Sequence, residues 1–324
     1  MLFTPIKGDW GTLVSTDLWA ITCFYNPGRY ASRVRNFRRF RSALRADVPL
    51  AVVECAADGH YSLRMDDADH VIRVKGANLW QKERLLNIGI AHVPKTVSMV
   101  AWMDCDILMS SVSWPEDLSI ALEESAVVQL FGSVSWLGPI DPDSGTEPEV
   151  ASWPSITNEH ISGTLAESTC TQWIRSDNPH VPIGDGYAWA SRRELVARYG
   201  IYDCCIIGGG TRAFCLAALN RLDSLLRAPW LTVLQARHLE AWAKPFTNDV
   251  EGRVAYLPQE VRHMWHGPIA RRRYGIRDWE FREFNFDPWN DIVLNSFDCW
   301  DWAPGRTEMA RWVEDYFLGR LEDE

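Results

Sequence analysis

The sequence predicts an α/β protein, with a mostly parallel central sheet, helices on both of its faces and a long lid insertion. Three observations lead to this. From Leu18 onward short apolar runs alternate with stretches of helical periodicity, the pattern of repeated strand–helix–strand units. The first of these runs stops at a turn-forming cluster, Asn26-Pro27-Gly28. Over residues 133–185 both periodicities fade into a stretch rich in Ser, Pro, Gly, Asp and Trp.

The elements follow in order. Leu18–Phe24 is an uninterrupted apolar run and reads as a buried strand. Arg29–Leu44 repeats its apolar residues on one helical face through Tyr30, Val34, Phe37, Phe40 and Leu44. Pro49–Cys55 is a second strand and Val71–Val74 a shorter third. Leu79–Ala91 is an amphipathic helix carrying Leu85, Leu86, Ile88 and Ile90, and Ser98–Met103 is a fourth strand that ends in Asp104-Cys105-Asp106. A helix over Pro115–Leu122 and a strand over Ala126–Phe131 precede the lid. Beyond it the sequence predicts a strand at Gly186–Ala190, helices at Arg192–Tyr199, Thr211–Asn220 and Val233–Ala243, and a strand at Val254–Leu257. The expected division is a lead-in at 1–17, one domain over 18–270 with its lid at 133–185, and a Trp-rich C-terminal extension over 271–324 packed on that domain.

Composition narrows the function. At 47 % hydrophobic residues the chain of 324 is far too apolar to be disordered, yet no stretch approaches the roughly 20 apolar residues of a membrane span. The eight cysteines show no Cys-x-x-Cys spacing, and the start, Met1-Leu2-Phe3-Thr4-Pro5, lacks the basic and apolar regions of a secretory signal. A cytoplasmic protein with reduced thiols is the expectation. The net charge of −10 argues against general affinity for nucleic acid, although it permits a local basic site.

Several residue groups carry chemistry. Two carboxylates at i and i+2 after a central strand, Asp104 and Asp106, point the same way if the chain stays extended, and together suit magnesium or manganese with positions open for a diphosphate. His263-Met-Trp-His266 can complete the shell of manganese. Lys82 and Arg84, on the helix whose other face is apolar, are placed to meet a diphosphate near the strand ends. Arg29–Arg45 holds seven arginines, Arg33 among them, and either binds phosphates or forms a solvated face paired with acids. Gly208-Gly209-Gly210 before a helix is an anion-binding type of turn, but it lacks the spacing of dinucleotide and P-loop sites. No G-x-S-x-G elbow is present.

Taken in order, these segments resemble the nucleotide-sugar glycosyltransferases of GT-A (Rossmann-like) fold. The similarity is to the beta-1,4-galactosyltransferase and polypeptide N-acetylgalactosaminyltransferase pattern, and to uncharacterised bacterial and phage glycosyltransferase-like proteins. Trp80-Gln-Lys-Glu-Arg-Leu-Leu-Asn-Ile-Gly89 resembles the family's F-N-R-A-K-L-L-N-V-G. Asp104-Cys-Asp106 resembles its D-V-D, Gly186-Tyr-Ala-Trp-Ala-Ser191 its G-G-V-S-A-L-S, and His263-Met-Trp-His266 its M-x-x-H element. The resemblance spans roughly residues 18–270. It implies manganese or magnesium held by Asp104, Asp106, His266 and His263. It also implies a nucleotide-sugar donor, a UDP-sugar, met by Thr22, Arg33, Lys82, Arg84, Asp104 and Trp189, and a lid with Trp136, Trp153 and Trp173 closing over sugar and acceptor.

One departure matters. Inverting relatives carry W-G-G-E-D-D, whose acids bind the acceptor and supply the base. Here the stretch is Gly208-Gly-Gly-Thr211-Arg212-Ala213, with no acid. Inversion needs a group to take the acceptor proton. The base then comes from Asp185 or Asp203, or the reaction retains configuration, or the protein is weak or inactive. An acid restored at Thr211 is expected to raise transfer if the inverting geometry is kept. The acceptor is open: a glycan, a small molecule or, given the Arg29–Arg45 stripe and Arg271-Arg-Arg273, a hydroxymethylated base in DNA. A non-catalytic nucleotide- or sugar-binding module is the third reading.

Overall fold

The computed structural model describes residues 17–166, 183–228, 230–274 and 276–323. The lead-in at 1–16, and Trp173 with the rest of 167–182, lie outside the described residues.

Alternating apolar runs and helical segments build one large sheet. Its strands are β1 (Leu18–Tyr25), β2 (Leu50–Cys55), β3 (His70–Val74), β4 (Met99–Met103), β6 (Val127–Gln129), β9 (Ala188–Arg192) and β10 (Val254–Tyr256). They lie in the order β10-β6-β9-β4-β1-β2-β3. β1 runs parallel to both β2 and β4, and only β9 opposes its neighbours. A strand buried on both faces reads as a continuous apolar run, which is why β1, β2 and β4 are legible.

Successive side chains of these strands feed two cores. On one face Trp19, Ile21, Val100, Trp102 and Trp189 meet α2 (Lys82–His92), α6 (Gly210–Ala218), α8 (Val233–Val250) and the C-terminal α11 (Thr307–Leu318). On the other, Leu18, Ala20, Phe24, Met99 and Ala101 meet α1 (Ala31–Ala43) and α3 (Trp114–Glu124). α2 lies so close to β1 that a Cβ on Gly89 would stand 2.5 Å from Ile21 Cγ2. Overpacking of that kind costs about 1–3 kcal/mol. Against it, alanine returns up to about 1 kcal/mol of helix propensity. Gly89→Ala is therefore expected to lower the urea midpoint, and an unchanged or higher midpoint would show that β1 and α2 can part.

The segment expected to form the lid carries regular structure in its first part. Residues 133–166 are largely structured: β7 (Ser133–Leu137) and β8 (Glu149–Pro154) form a hairpin, followed by α4 (Ile156–Ile161). The hairpin belongs to a second sheet, ordered β5-β11-β7-β8 with β5 (Ile107–Met109) and β11 (Glu260–His263). Two further differences concern helix ends. α2 starts at Lys82, not Leu79. α8 passes through Pro245 to Val250, its far end held by buried Phe246 and Val250, where the sequence suggested a stop at Ala243. The remaining elements are α5 (Arg193–Tyr199), α7 (Leu222–Leu226), α9 (Ile276–Arg282), α10 (Pro288–Asp291) and the hairpin of β12 (Ile292–Leu294) and β13 (Trp300–Trp302). No helix among the described residues is long and apolar enough to cross a membrane.

Candidate active site

Topology gathers the site. β1 and β4 end at the same edge of the sheet, and β9, running the other way, begins there with Ala188 opposite Met103. Asp104-Cys105-Asp106 therefore faces Asp185-Gly186-Tyr187, and the Asp104 N–H donates to the Tyr187 carbonyl at 2.7 Å. After Asp106 the chain enters β5, which pairs antiparallel with β11 so that Ile107 opposes His263. That register, fixed again by Met264 N–H donating to the Asp106 carbonyl at 2.8 Å, sets both histidines beside Asp106.

Asp106, His263 and His266 offer ligand atoms that all lie within 4.8 Å of one another. His266 Nε2 stands 3.1 Å from Asp106 Oδ2 and 3.2 Å from His263 Nε2. Burial drives the His263 imidazole down to about 3, so it is neutral and has a lone pair to give. Burial works against charge on Asp106, but the hydrogen bond from His266 and the nearby Arg33 charge counter it and hold the carboxyl below its usual range. Asp106 Oδ1 is buried without a hydrogen-bond partner, which marks an acceptor waiting for a ligand. These donors fit manganese: one carboxylate and two imidazoles on one side of a cavity.

Asp104 stands apart from this cluster, because Lys82 at the start of α2 forms an ion pair with it. Burial opposes the ammonium charge, but Asp104 holds Lys82 charged beyond its ordinary range. The cavity is also lined by Arg33, Arg212, Arg272, Arg277 and Arg320, so six basic residues face four acids (Glu83, Asp104, Asp106, Asp185) and an anion is favoured. Arg33 spends its charge on Glu322, which stands 3.4 Å from His266 Nδ1. One wall is aromatic: the Trp136 indole N–H donates to the Tyr187 hydroxyl at 2.7 Å, and the Arg272 guanidinium lies 5.4 Å from the Trp136 ring.

The turn at Gly208 and Gly209 takes φ of +106° and +100°, values open to glycine, and starts α6 at Gly210. It places Thr211 and Arg212 on the cavity. Arg212 Nε donates to Asp185 Oδ2 at 2.8 Å. The Thr211 hydroxyl donates to Glu83 Oε1 at 3.0 Å.

Among the expected residues, the structure brings Arg33, Lys82, Asp104, Asp106, Asp185, Thr211, Arg212, His263 and His266 to one cavity. Three expected donor contacts lie elsewhere. Thr22 is fully buried and donates to the Met103 carbonyl at 2.7 Å, tying β1 to β4. Trp189 is sealed in the core against Phe214, its indole N–H donating to the Asp185 carbonyl at 3.0 Å. Arg84 turns to Asp203 and to the loop at Asp298. Asp203 is not among the residues that line the cavity. The Arg29–Arg45 stripe is largely neutralised by acids: Arg29 by Asp58, Arg33 by Glu322, Arg39 by Glu147, Arg41 by Asp69 and Arg45 by Glu116. Sequence reasoning missed Glu83, Tyr274, Arg277, Arg320 and Glu322. Only Glu83 had a signal, as a charged residue inside the Trp80–Gly89 motif.

No protein-family model matches the chain, and no curated protein matches it. Among solved structures it is similar to S. aureus TarS 1-349 in complex with UDP-GlcNAc, at 11 % identity over 94 % of this chain and 81 % of that one, with a TM-score of 0.37. It is similar to glucosyl-3-phosphoglycerate synthase from Mycobacterium tuberculosis at 11 % identity, over 83 % and 78 %, with a TM-score of 0.40. It is also similar to the mannosyltransferase PcManGT from Pyrobaculum calidifontis in complex with GDP-Man and Mn2+, at 13 % identity over 94 % and 72 %, with a TM-score of 0.35. These likenesses are distant.

Proposed function

We propose that this chain is a metal-dependent glycosyltransferase that moves a sugar from a nucleotide-sugar donor, a UDP-sugar, to an acceptor hydroxyl. The observation that carries the reading is the Asp106–His263–His266 cluster, with its unpartnered carboxylate oxygen, in one basic cavity at the carboxyl ends of β1 and β4. Ligands of open α/β sheets bind at that edge. Asp106, His263 and His266 would hold manganese or magnesium, with Asp104 close by. The ion supplies charge neutralisation to a diphosphate leaving group.

The chain's own residues do the rest. Arg272 and Arg277, buried cations from the C-terminal segment, add positive charge for the diphosphate. The Trp136–Tyr187 wall offers a flat apolar surface with a polar edge, which suits a sugar ring. Thr211, Arg212 and Asp185 form the side of the cavity left for the acceptor.

Thermal shift with UDP-, GDP- and TDP-sugars, with and without manganese, tests the reading. One donor class should raise the melting temperature, and only with metal. At a concentration about 100 times Kd the stabilisation is about 2.7 kcal/mol. No shift with any donor, or an equal shift in EDTA, would sink the reading.

A further inference from the structure

We propose that Glu83 is the general base that takes the proton of the acceptor hydroxyl. This rests on the glycosyl-transfer reading above. Glu83 sits in the first turn of α2 and borders the cavity between Lys82 and the Gly208–Gly210 turn. Its carboxylate is fixed by two neutral donors: the Thr211 hydroxyl at 3.0 Å on Oε1 and the Trp80 indole N–H at 3.2 Å on Oε2. The turn is shaped around it, since a Cβ on Gly210 would stand 2.5 Å from Glu83 Cδ. An ionised carboxylate can accept about four hydrogen bonds, so acceptor capacity remains on both oxygens.

The other cavity acids are committed. Asp104 is bound by Lys82 and Asp185 by the Arg212 guanidinium, while Asp106 belongs to the proposed metal cluster. A carboxylate tied to a cation is a poor base, because the charged form is already stabilised. Glu83 makes no such ion pair among the described residues. Burial moves its carboxyl upward from the usual range, with Lys82 partly opposing, which makes it more basic than an exposed carboxylate.

The step balances as a single displacement. The acceptor oxygen forms its bond to the anomeric carbon as its proton passes to the Glu83 carboxylate. The bond from the anomeric carbon to the diphosphate oxygen breaks, and its electron pair leaves with the nucleoside diphosphate. Glu83 afterwards returns the proton to water. Such a displacement inverts the anomeric configuration.

The test uses the full chain with manganese and, separately, UDP-glucose, UDP-GlcNAc, GDP-mannose and TDP-glucose. Released nucleoside diphosphate is measured with water as acceptor, and UDP binding by calorimetry. Glu83→Gln keeps the shape and is expected to slow release at least about 100-fold, the lower end of what a positioned base contributes, while UDP affinity changes less than about three-fold. The double variant Glu83→Gln with Thr211→Asp returns an acid to the same spot and should recover at least about ten-fold of that loss. Thr211→Asp alone should be slower than the parent, since it sets a second carboxylate against Glu83. Glu83→Gln retaining more than a third of parental release, or losing UDP binding along with release, would overturn the proposal and leave the donor reading standing. A parent that releases no nucleoside diphosphate overturns the proposal, and one that also binds no UDP overturns the donor reading with it.

Discussion

Replacing Asp106 by asparagine is expected to weaken manganese binding by more than about 100-fold and to abolish metal-dependent donor stabilisation. Losing a group that merely supports a metal ligand costs about 10–100-fold, and a ligand itself should cost more. Asparagine keeps the volume and can keep the hydrogen bond to His266, so the substitution removes the charge and one ligand atom without changing the shape of the site. Free manganese, counted by electron paramagnetic resonance during a titration, reads the effect directly. Parental manganese affinity in Asp106→Asn would place the ion elsewhere in the molecule.

The second large effect falls on stability. Glu322 is buried between Arg33, Arg320 and His266, and although burial opposes its charge, Arg33 and Arg320 hold its carboxyl far below the usual range. Glu322→Ala leaves buried guanidinium groups without their counter-charge, and breaking such a pair from one side costs about 3–5 kcal/mol. Urea unfolding near neutral pH should show the loss. Because the folded pKa is depressed, the stabilisation is complete above the ordinary carboxyl value of 4.5 and is lost as acid protonates the folded state. The deficit of Glu322→Ala against the parent should accordingly shrink as pH falls below that value. A constant deficit across the acid range would mean that the side chain matters for packing and not for charge.

How much of this could be read from the residues differs from element to element. β1, β2 and β4 were legible because both of their faces are buried, leaving unbroken apolar runs. β8 was not, because its residues are exposed or half-exposed and mix polar with apolar types, so no period survives. β5 and β11 are three and four residues long, below the length at which alternation can be recognised. The Asp104-Cys105-Asp106 strand end is a local pattern and was visible. Its pairing with His263 and His266 depends on a strand register between segments more than 150 residues apart, as Ile107 opposes His263. No spacing rule carries that information. Thr22, Arg84 and Trp189 show the converse. Each lies in a motif that reaches the site, but side-chain direction on a strand or helix decides which members face the ligand, and these three face the core or another loop.

The contact between Arg33 and Glu322 joins residues 289 positions apart. During synthesis α1 emerges early, and at about 5–20 residues per second its arginine waits roughly 15–60 s for its partner to be made. Through that interval the Arg33 side chain is without the buried counter-charge that Glu322 gives it, although Phe37 and Phe40 can already anchor α1 on the sheet. Asp323 adds to the delay, because its carboxylate accepts the Ala31 and Ser32 N–H groups, both at 2.8 Å, and so caps the same helix. Until residues 322 and 323 are in place, Arg33 lacks its buried counter-charge, the first N–H groups of α1 lack their acceptor, and His266 lacks the carboxylate on its Nδ1 side.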